Sequence, residues 1–196
     1  MAVKVDRRVR RTRRLLSEAF VELVAEQGYD AVRVEDILER ADIARTTFYA
    51  HFRDKRDLLQ FVANTFQEAL QERLAEIRID ATGLPSAEQL VETFTNIKNH
   101  APFFRMALST NSVPLVYEKI HQGIVAIVDT LLTQHIEEQG LETAVPTSLV
   151  AHYFAGALLS SAKWWLQDQR IYLVSPEEMA NHFVQLRQVS FMTMVG

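Results

Sequence analysis

Apolar residues recur at three- and four-residue intervals through almost the whole chain, and no segment shows the strict alternation of a half-buried strand. The pattern predicts an all-α protein of about nine helices. The first helix is expected over residues 6–27, with Leu16, Phe20, Leu23 and Val24 on one face and Gly28 ending it in a left-handed C-cap. A short second helix follows over 34–41, directing Ile37, Leu38 and Ala41 inward. After the turn Ala41-Asp42-Ile43, a third short helix spans 44–52 and places Phe48 and Phe52 four residues apart on one buried face.

Asp54, with Asp57 three positions on, opens a long fourth helix whose stripe is Leu58, Val62, Phe66, Ala69, Leu70, Leu74 and Ile77. At roughly 25 residues it would be about 38 Å long. Asp80-Ala81-Thr82-Gly83-Leu84-Pro85 has linker composition, and Ser86 with Gln89 forms a capping-box pattern that starts a fifth helix reaching residue 99. Pro102 suits the first turn of a sixth helix ending near residue 109. A seventh is expected over 112–139, stopped by Gly140, and an eighth over 147–168. Ser175-Pro176-Glu177-Glu178 combines a capping box with proline at the first helical position, so a ninth helix runs from there towards residue 194. The expected organisation is a three-helix head, residues 1–54, joined through the fourth helix to a larger helical body, residues 55–196.

Charge sharpens that division. The formal net charge is −4. Residues 1–56 hold 13 Lys/Arg against 10 Asp/Glu, a balance of +3, whereas residues 57–196 hold 8 against 15, a balance of −7. A basic end on an acidic body is the asymmetry expected when one end meets phosphates. The absence of cysteine excludes disulfides, thiolate chemistry and Cys-based zinc sites, and fits a cytoplasmic location. No run of 18 apolar residues could span a membrane, and the basic N-terminus lacks the apolar stretch of a secretory signal.

Two short helices joined by a tight turn and preceded by a longer helix make a helix-turn-helix unit, whose second helix enters the major groove of double-stranded DNA. Arg45, Thr46 and Thr47 occupy the tip of that helix. An arginine fork can bond guanine O6 and N7, and a threonine methyl can touch the methyl of thymine. Tyr49, His51 and Lys55 have polar ends suited to phosphate. The arginine run upstream, Arg11 among it, would meet the backbone beside the groove, although a solubilising basic tail reads the same in composition.

The segment Phe48-Tyr49-Ala50-His51-Phe52-Arg53-Asp54-Lys55-Arg56-Asp57-Leu58-Leu59 resembles the end of the TetR-family helix-turn-helix, where Tyr-x-His-Phe-x-x-Lys-x-x-Leu is typical. The resemblance extends from near Arg10 to about Phe66 and includes Gly28 and the turn. It implies a homodimeric bacterial repressor, with Tyr49 and Lys55 at phosphate-contacting positions and Arg45, Thr46 and Thr47 in the base-reading region. Three residues depart from the pattern. Arg33 stands where threonine usually caps the second helix, a loss of about 1 kcal/mol that a phosphate contact by Arg33 could offset. Asp42 replaces the turn glycine, and Ala44 replaces the serine before the recognition helix.

In the body, Gly156 and Ser160 lie four apart in an otherwise apolar segment, which lets another helix approach closely. With Trp164, and with Phe183, Leu186 and Ser190 on the ninth helix, they are the expected four-helix interface of a homodimer. The surroundings of Gly156 and Trp164 are similar to those in C-terminal domains of regulators of dihydroxyacetone-kinase operons. The resemblance also implies an effector pocket, for which Phe94, Ile97, His100, Phe103, Phe104, Met106, Tyr117 and Ile120 are the candidates. Aromatic residues at helical spacing are equally ordinary core. With no charge cluster among them, a largely apolar small molecule is expected. Enzyme chemistry finds no support: there is no Gly-x-Ser-x-Gly elbow, Gly-rich phosphate loop or His-Glu-x-x-His, and no cofactor or metal site is expected. Two readings from different classes remain, a ligand-released DNA-binding repressor acting on an inverted repeat, and a protein-docking adaptor that keeps the fold without an operator of its own.

Overall fold

The computed structural model describes residues 7–72, 76–108 and 114–191, and within these the secondary structure is helical. The head consists of α1 (Arg7–Gln27), α2 (Val34–Ala41) and α3 (Arg45–His51). Leu16, Phe20, Leu23 and Val24 of α1 close over Ile37 and Phe48, each of them buried, as their spacing predicts. Burying a side chain the size of Phe48 contributes about 1.5–3 kcal/mol. Gly28 ends α1 at φ +84°. Across the head, the Arg40 guanidinium on α2 bonds Glu26 at 2.9 and 3.0 Å and Glu22 at 3.3 Å on α1, tying the two helices at the surface.

The linking helix, α4 (Lys55–Glu72), begins with the Asp54 cap, whose Oδ1 accepts the Asp57 N–H at 2.8 Å. It is shorter than its apolar stripe suggests. Ile77 and Arg78 are outside any helix, because the chain there turns into a small hairpin: Ile79 bridges Pro85, and the Asp80 N–H donates to Leu84 O at 2.9 Å. Leu74 and the side chain of Leu70, both assigned to that stripe, lie outside the described residues. The hairpin is what the linker composition conceals. Its Gly83 has φ +75°, and a Cβ there would lie 2.9 Å from the His135 ring, so another residue would strain the backbone and displace that ring.

The body continues with α5 (Ala87–Asn99), α6 (Ala101–Leu108), α7 (Pro114–Gln139), α8 (Thr147–Leu166), α9 (Arg170–Leu173) and α10 (Pro176–Phe191). The ninth helix of the sequence reading is therefore α10. The short α9 was not foreseen. Asp168 at φ 51° and Gln169 at φ 61° end α8 in left-handed conformation, two residues earlier than expected, and redirect the chain. The Ser175–Glu178 capping box is complete, with both reciprocal bonds made. The Ser86–Gln89 box is half built: Ser86 Oγ accepts the Gln89 N–H, but the Gln89 side chain accepts from the Arg78 N–H at 3.2 Å instead. Within the body, α7 packs on α8 and on α4, and α10 packs on α5. Fully buried Trp165 sits at the centre, its ring edge-on to Phe94 at 5.5 Å and its indole N–H donating to Val174 O at 2.9 Å. Arg187 of α10 reaches under the hairpin, bonding Pro85 O and pairing with Asp80.

Candidate nucleic-acid interface

The second and third helices meet through Asp42, which takes the left-handed conformation (φ 52°, ψ 50°) usually left to glycine and donates its N–H to Glu39 O. Aspartate tolerates that region better than most residues, so the departure from glycine leaves the turn intact. Arg33 has no capping oxygen, as expected. The start of α2 is satisfied from the other side: the Asp36 carboxylate accepts the Arg33 N–H at 2.8 Å, which holds that carboxyl below its ordinary value. Ala44 caps α3 with no side-chain bond, so the first amides of the recognition helix point outward uncapped.

α3 has one inward anchor, Phe48, with no exposed surface. Arg45, Thr46, Tyr49 and Ala50 are exposed, while Thr47 and His51 are half-buried. Arg45 Nη1 lies 3.2 Å from Glu35 Oε1, and its guanidinium lies 5.7 Å from the Tyr49 ring centre. Both partners of the ion pair are well exposed, so releasing Arg45 to a base costs about 0–1 kcal/mol. The pair therefore orients the arginine on the outer face of the helix without committing it.

Lys55, expected at a phosphate, has its ammonium engaged within the protomer. Its ammonium donates to Tyr29 O and to Val32 O, each at 2.7 Å, and lies 4.2 Å from the centre of the Tyr29 ring. Two of its three donors thus hold the loop between α1 and α2 against the start of α4. Burial is the main reason the Tyr29 phenol is pushed up. Sequence reasoning sees a lysine at a helix N-terminus but not the carbonyls that fold back towards it. Arg53, whose side chain is 90% exposed, and exposed Arg56 flank Lys55.

The arginine run divides as well. Arg11 is exposed on the outer side of α1 and Arg33 is exposed at the start of α2. Arg14 pairs with Glu18 at 3.1 Å. Arg13 turns inward, its guanidinium 5.8 Å from the Phe52 ring centre and 5.2 Å from that of Phe61, so it is a packing residue of the head.

Of the residues expected to line an effector pocket, Phe94, Ile97, Met106 and Ile120 are in the core, each at most 3% exposed. Tyr117 lies outside, stacked on His121 at 6.0 Å. His100, Phe103 and Phe104 line a cleft of about 640 Å³ bounded by α1, α4 and the α5–α6 corner. The interface residues divide similarly. Ser160 and Leu186 are exposed, Trp164 is 48% exposed, and no atom lies within 4 Å of a Cβ built on Gly156. With Leu149 and Tyr153 they give α8 an exposed, largely apolar stripe. Phe183 does not belong to it. At 4% exposure it packs on Phe154 and Phe94 inside the protomer, whereas Leu186, three residues on, is 64% exposed. The side chain of Ser190 lies outside the described residues.

Comparison with known proteins follows this division of the chain. A model of bacterial regulatory proteins of the tetR family matches residues 16–62, and a model of a transcriptional regulator C-terminal region matches residues 86–188. An uncharacterized HTH-type transcriptional regulator of Bacillus subtilis (strain 168), YxbF, is 26% identical over 191 residues, which is 95% of this chain and 47% of the relative. The chain thus spans about half the length of that relative. The crystal structure of the transcriptional regulator FadR from Bacillus subtilis, in complex with stearoyl-CoA, superposes with a TM-score of 0.68 at 22% identity, covering 88% of this chain and 96% of that one. The dihydroxyacetone kinase operon activator DhaS shares the fold at a TM-score of 0.55 and 18% identity, over 93% of this chain and 97% of its own. Among the described residues, no helix is long and apolar enough to cross a membrane.

Proposed function

This chain belongs to the TetR family of bacterial regulatory proteins, and on that premise we propose that it is a sequence-specific DNA-binding transcriptional regulator, a repressor that works as a homodimer and is released by a small ligand. The observation that carries the reading is the face of α3. A single buried anchor, Phe48, fixes the helix, and Arg45, Thr46 and Tyr49 stand in solvent beside the exposed arginines of α1. Arg45, Thr46 and Thr47 read bases; Tyr49, His51, Arg11 and Arg33 meet phosphates, joined by Arg53 and Arg56. Lys55 mainly braces the loop behind them. Residues 1–54 form the reading head and 55–196 the body that pairs and responds. Pairing uses the exposed stripe of α8, from Leu149 to Trp164, together with Leu186. The effector is small and largely apolar.

Two heads on a two-fold axis reach successive major grooves about 34–36 Å apart, so the operator is an inverted repeat. Selection of bound fragments from random duplex DNA tests this. Enrichment of an inverted repeat with half-sites one helical turn apart supports the proposal. Folded, paired protein that prefers no duplex at low ionic strength ends it, and leaves the protein-docking adaptor, which the uncapped Ala44 would suit.

A further inference from the structure

Arg45 and Glu35 belong to different helices, yet their side chains end together. Buried Ile37 seats α2 in the head, and the bonds from Arg40 to Glu22 and Glu26 hold that helix to α1, so the backbone that carries Glu35 has a fixed place. The neighbouring Asp36 accepts the Arg33 N–H at 2.8 Å and closes the start of α2. The Glu35 carboxylate reaches α3 instead, with Oε1 3.2 Å from Arg45 Nη1. On α3 itself the Tyr49 ring, one turn further on, has its centre 5.7 Å from the same guanidinium. Contact through Nη1 leaves the Nε–Nη2 edge of the fork, which can make two parallel bonds to guanine O6 and N7.

On the DNA-binding reading, on which this inference rests, a carboxylate at this place carries a cost. It brings negative charge to the surface that meets phosphates, and so weakens binding to every duplex. As an ion pair between two well-exposed side chains it adds little to folding stability. Neither stability nor general affinity accounts for it; orientation does. We propose that Glu35 is a specificity-determining residue that acts through Arg45, steering the guanidinium to base edges and withholding it from phosphates. Without Glu35, the long arginine side chain can swing to the nearest phosphate, which every sequence offers. With it, a swing to phosphate leaves the carboxylate unpaired beside the DNA backbone, whereas a guanine is bonded through the Nε–Nη2 edge while Nη1 stays on Glu35. The carboxylate thus penalises the wrong partner and spares the right one, and specificity is the difference between the two affinities.

The test compares the parent, Glu35→Ala, Arg45→Ala and the double variant by fluorescence anisotropy. Each is titrated with the selected operator, with operators changed at the base pair whose preference Arg45→Ala relaxes, and with a duplex lacking the inverted repeat. In the parent the changed base should weaken binding at least tenfold. Glu35→Ala should cut that penalty to about threefold or less and tighten binding to the unrelated duplex at least threefold. The salt slope on the unrelated duplex should steepen by about one per protomer as the freed arginine takes a phosphate. In Arg45→Ala protein, the same replacement of Glu35 should leave base preferences within about twofold. An undiminished base penalty in Glu35→Ala, or a loss shared equally by all duplexes, overturns the proposal. So does a change in base preference that persists without Arg45, which would make Glu35 a reader in its own right. A second measurement needs no DNA: nuclear magnetic relaxation of the Arg45 Nε–H in the free protein should give a lower order parameter in Glu35→Ala than in the parent, and an unchanged value overturns the positioning. A parent that selects an operator, with Glu35→Ala indistinguishable from it, refutes this inference alone, whereas a parent that prefers no duplex refutes the functional reading with it.

Discussion

Replacing Lys55 by methionine separates a brace from a phosphate contact. The substitution keeps the length and apolar stem of the side chain and removes the ammonium. Lost with it are two charge-assisted hydrogen bonds at 2.7 Å, to Tyr29 O and Val32 O, and the approach to the Tyr29 ring at 4.2 Å. A hydrogen bond to a charged group contributes about 1.5–3 kcal/mol where solvent is excluded. Lys55 is half-buried, so water recovers part of this, leaving about 1 kcal/mol for each bond. The ring contact adds about 0.5 kcal/mol. The expected loss is therefore about 2–3 kcal/mol in urea unfolding, with a fall in Tm of about 4–12 °C for a chain of this size. Operator binding, measured well below that Tm across a salt series, should keep its slope. A phosphate contact behaves oppositely: stability stays within about 0.5 kcal/mol and the salt slope shrinks by about one. That second pattern would refute the brace and restore Lys55 to the DNA surface.

Arg45→Ala should relax base preference at one position of each half-site by about 1–3 kcal/mol, while Arg53→Ala weakens all sequences alike, both measured by fluorescence anisotropy on a panel of operators. If each protomer neutralises three to five phosphates, log K should fall against log salt with a slope of roughly −5 to −9, and a flat response would remove the phosphate assignment. Trp164→Asp with Tyr153→Asp should give a monomer by sedimentation equilibrium while each chain stays folded; a surviving dimer would move the interface off α8. Arg187→Met should cost about 2–4 kcal/mol, since it leaves Asp80 and Pro85 O without their donor beneath the hairpin. Burial pushes the Asp80 carboxyl up, but the bonds from Thr82 and Arg187 outweigh it and hold the group below its usual 3.8. Its contribution is therefore complete above about pH 4 and lost as pH falls through the folded value, and the Arg187→Met variant should show a shallower acid loss over that window in chemical unfolding.

What the linear chain determined is local. Periodicity of 3.6 places Leu16, Phe20, Leu23 and Val24 on one face whatever lies opposite, and cap chemistry marks where helices start, because Asp54, Ser86 and Ser175 each bond to the amide three residues on. Exposure of Thr46 has the same local origin, since two residues from buried Phe48 is the far side of the helix; Arg45, three residues from Phe48, is exposed because nothing packs over that end of α3. Tertiary structure decided whatever depends on partners distant in sequence. Lys55 meets carbonyls 23 and 26 residues away, Arg187 meets Asp80 from 107 residues away, and neither pairing leaves a mark in local composition. The same holds for the cavity. Phe94 and Phe103 are alike as residues, yet one is sealed between α8 and α10 and the other floors an open cleft. That difference is set by how closely the helices pack across the seam between head and body, a distance that no periodicity within a single helix encodes.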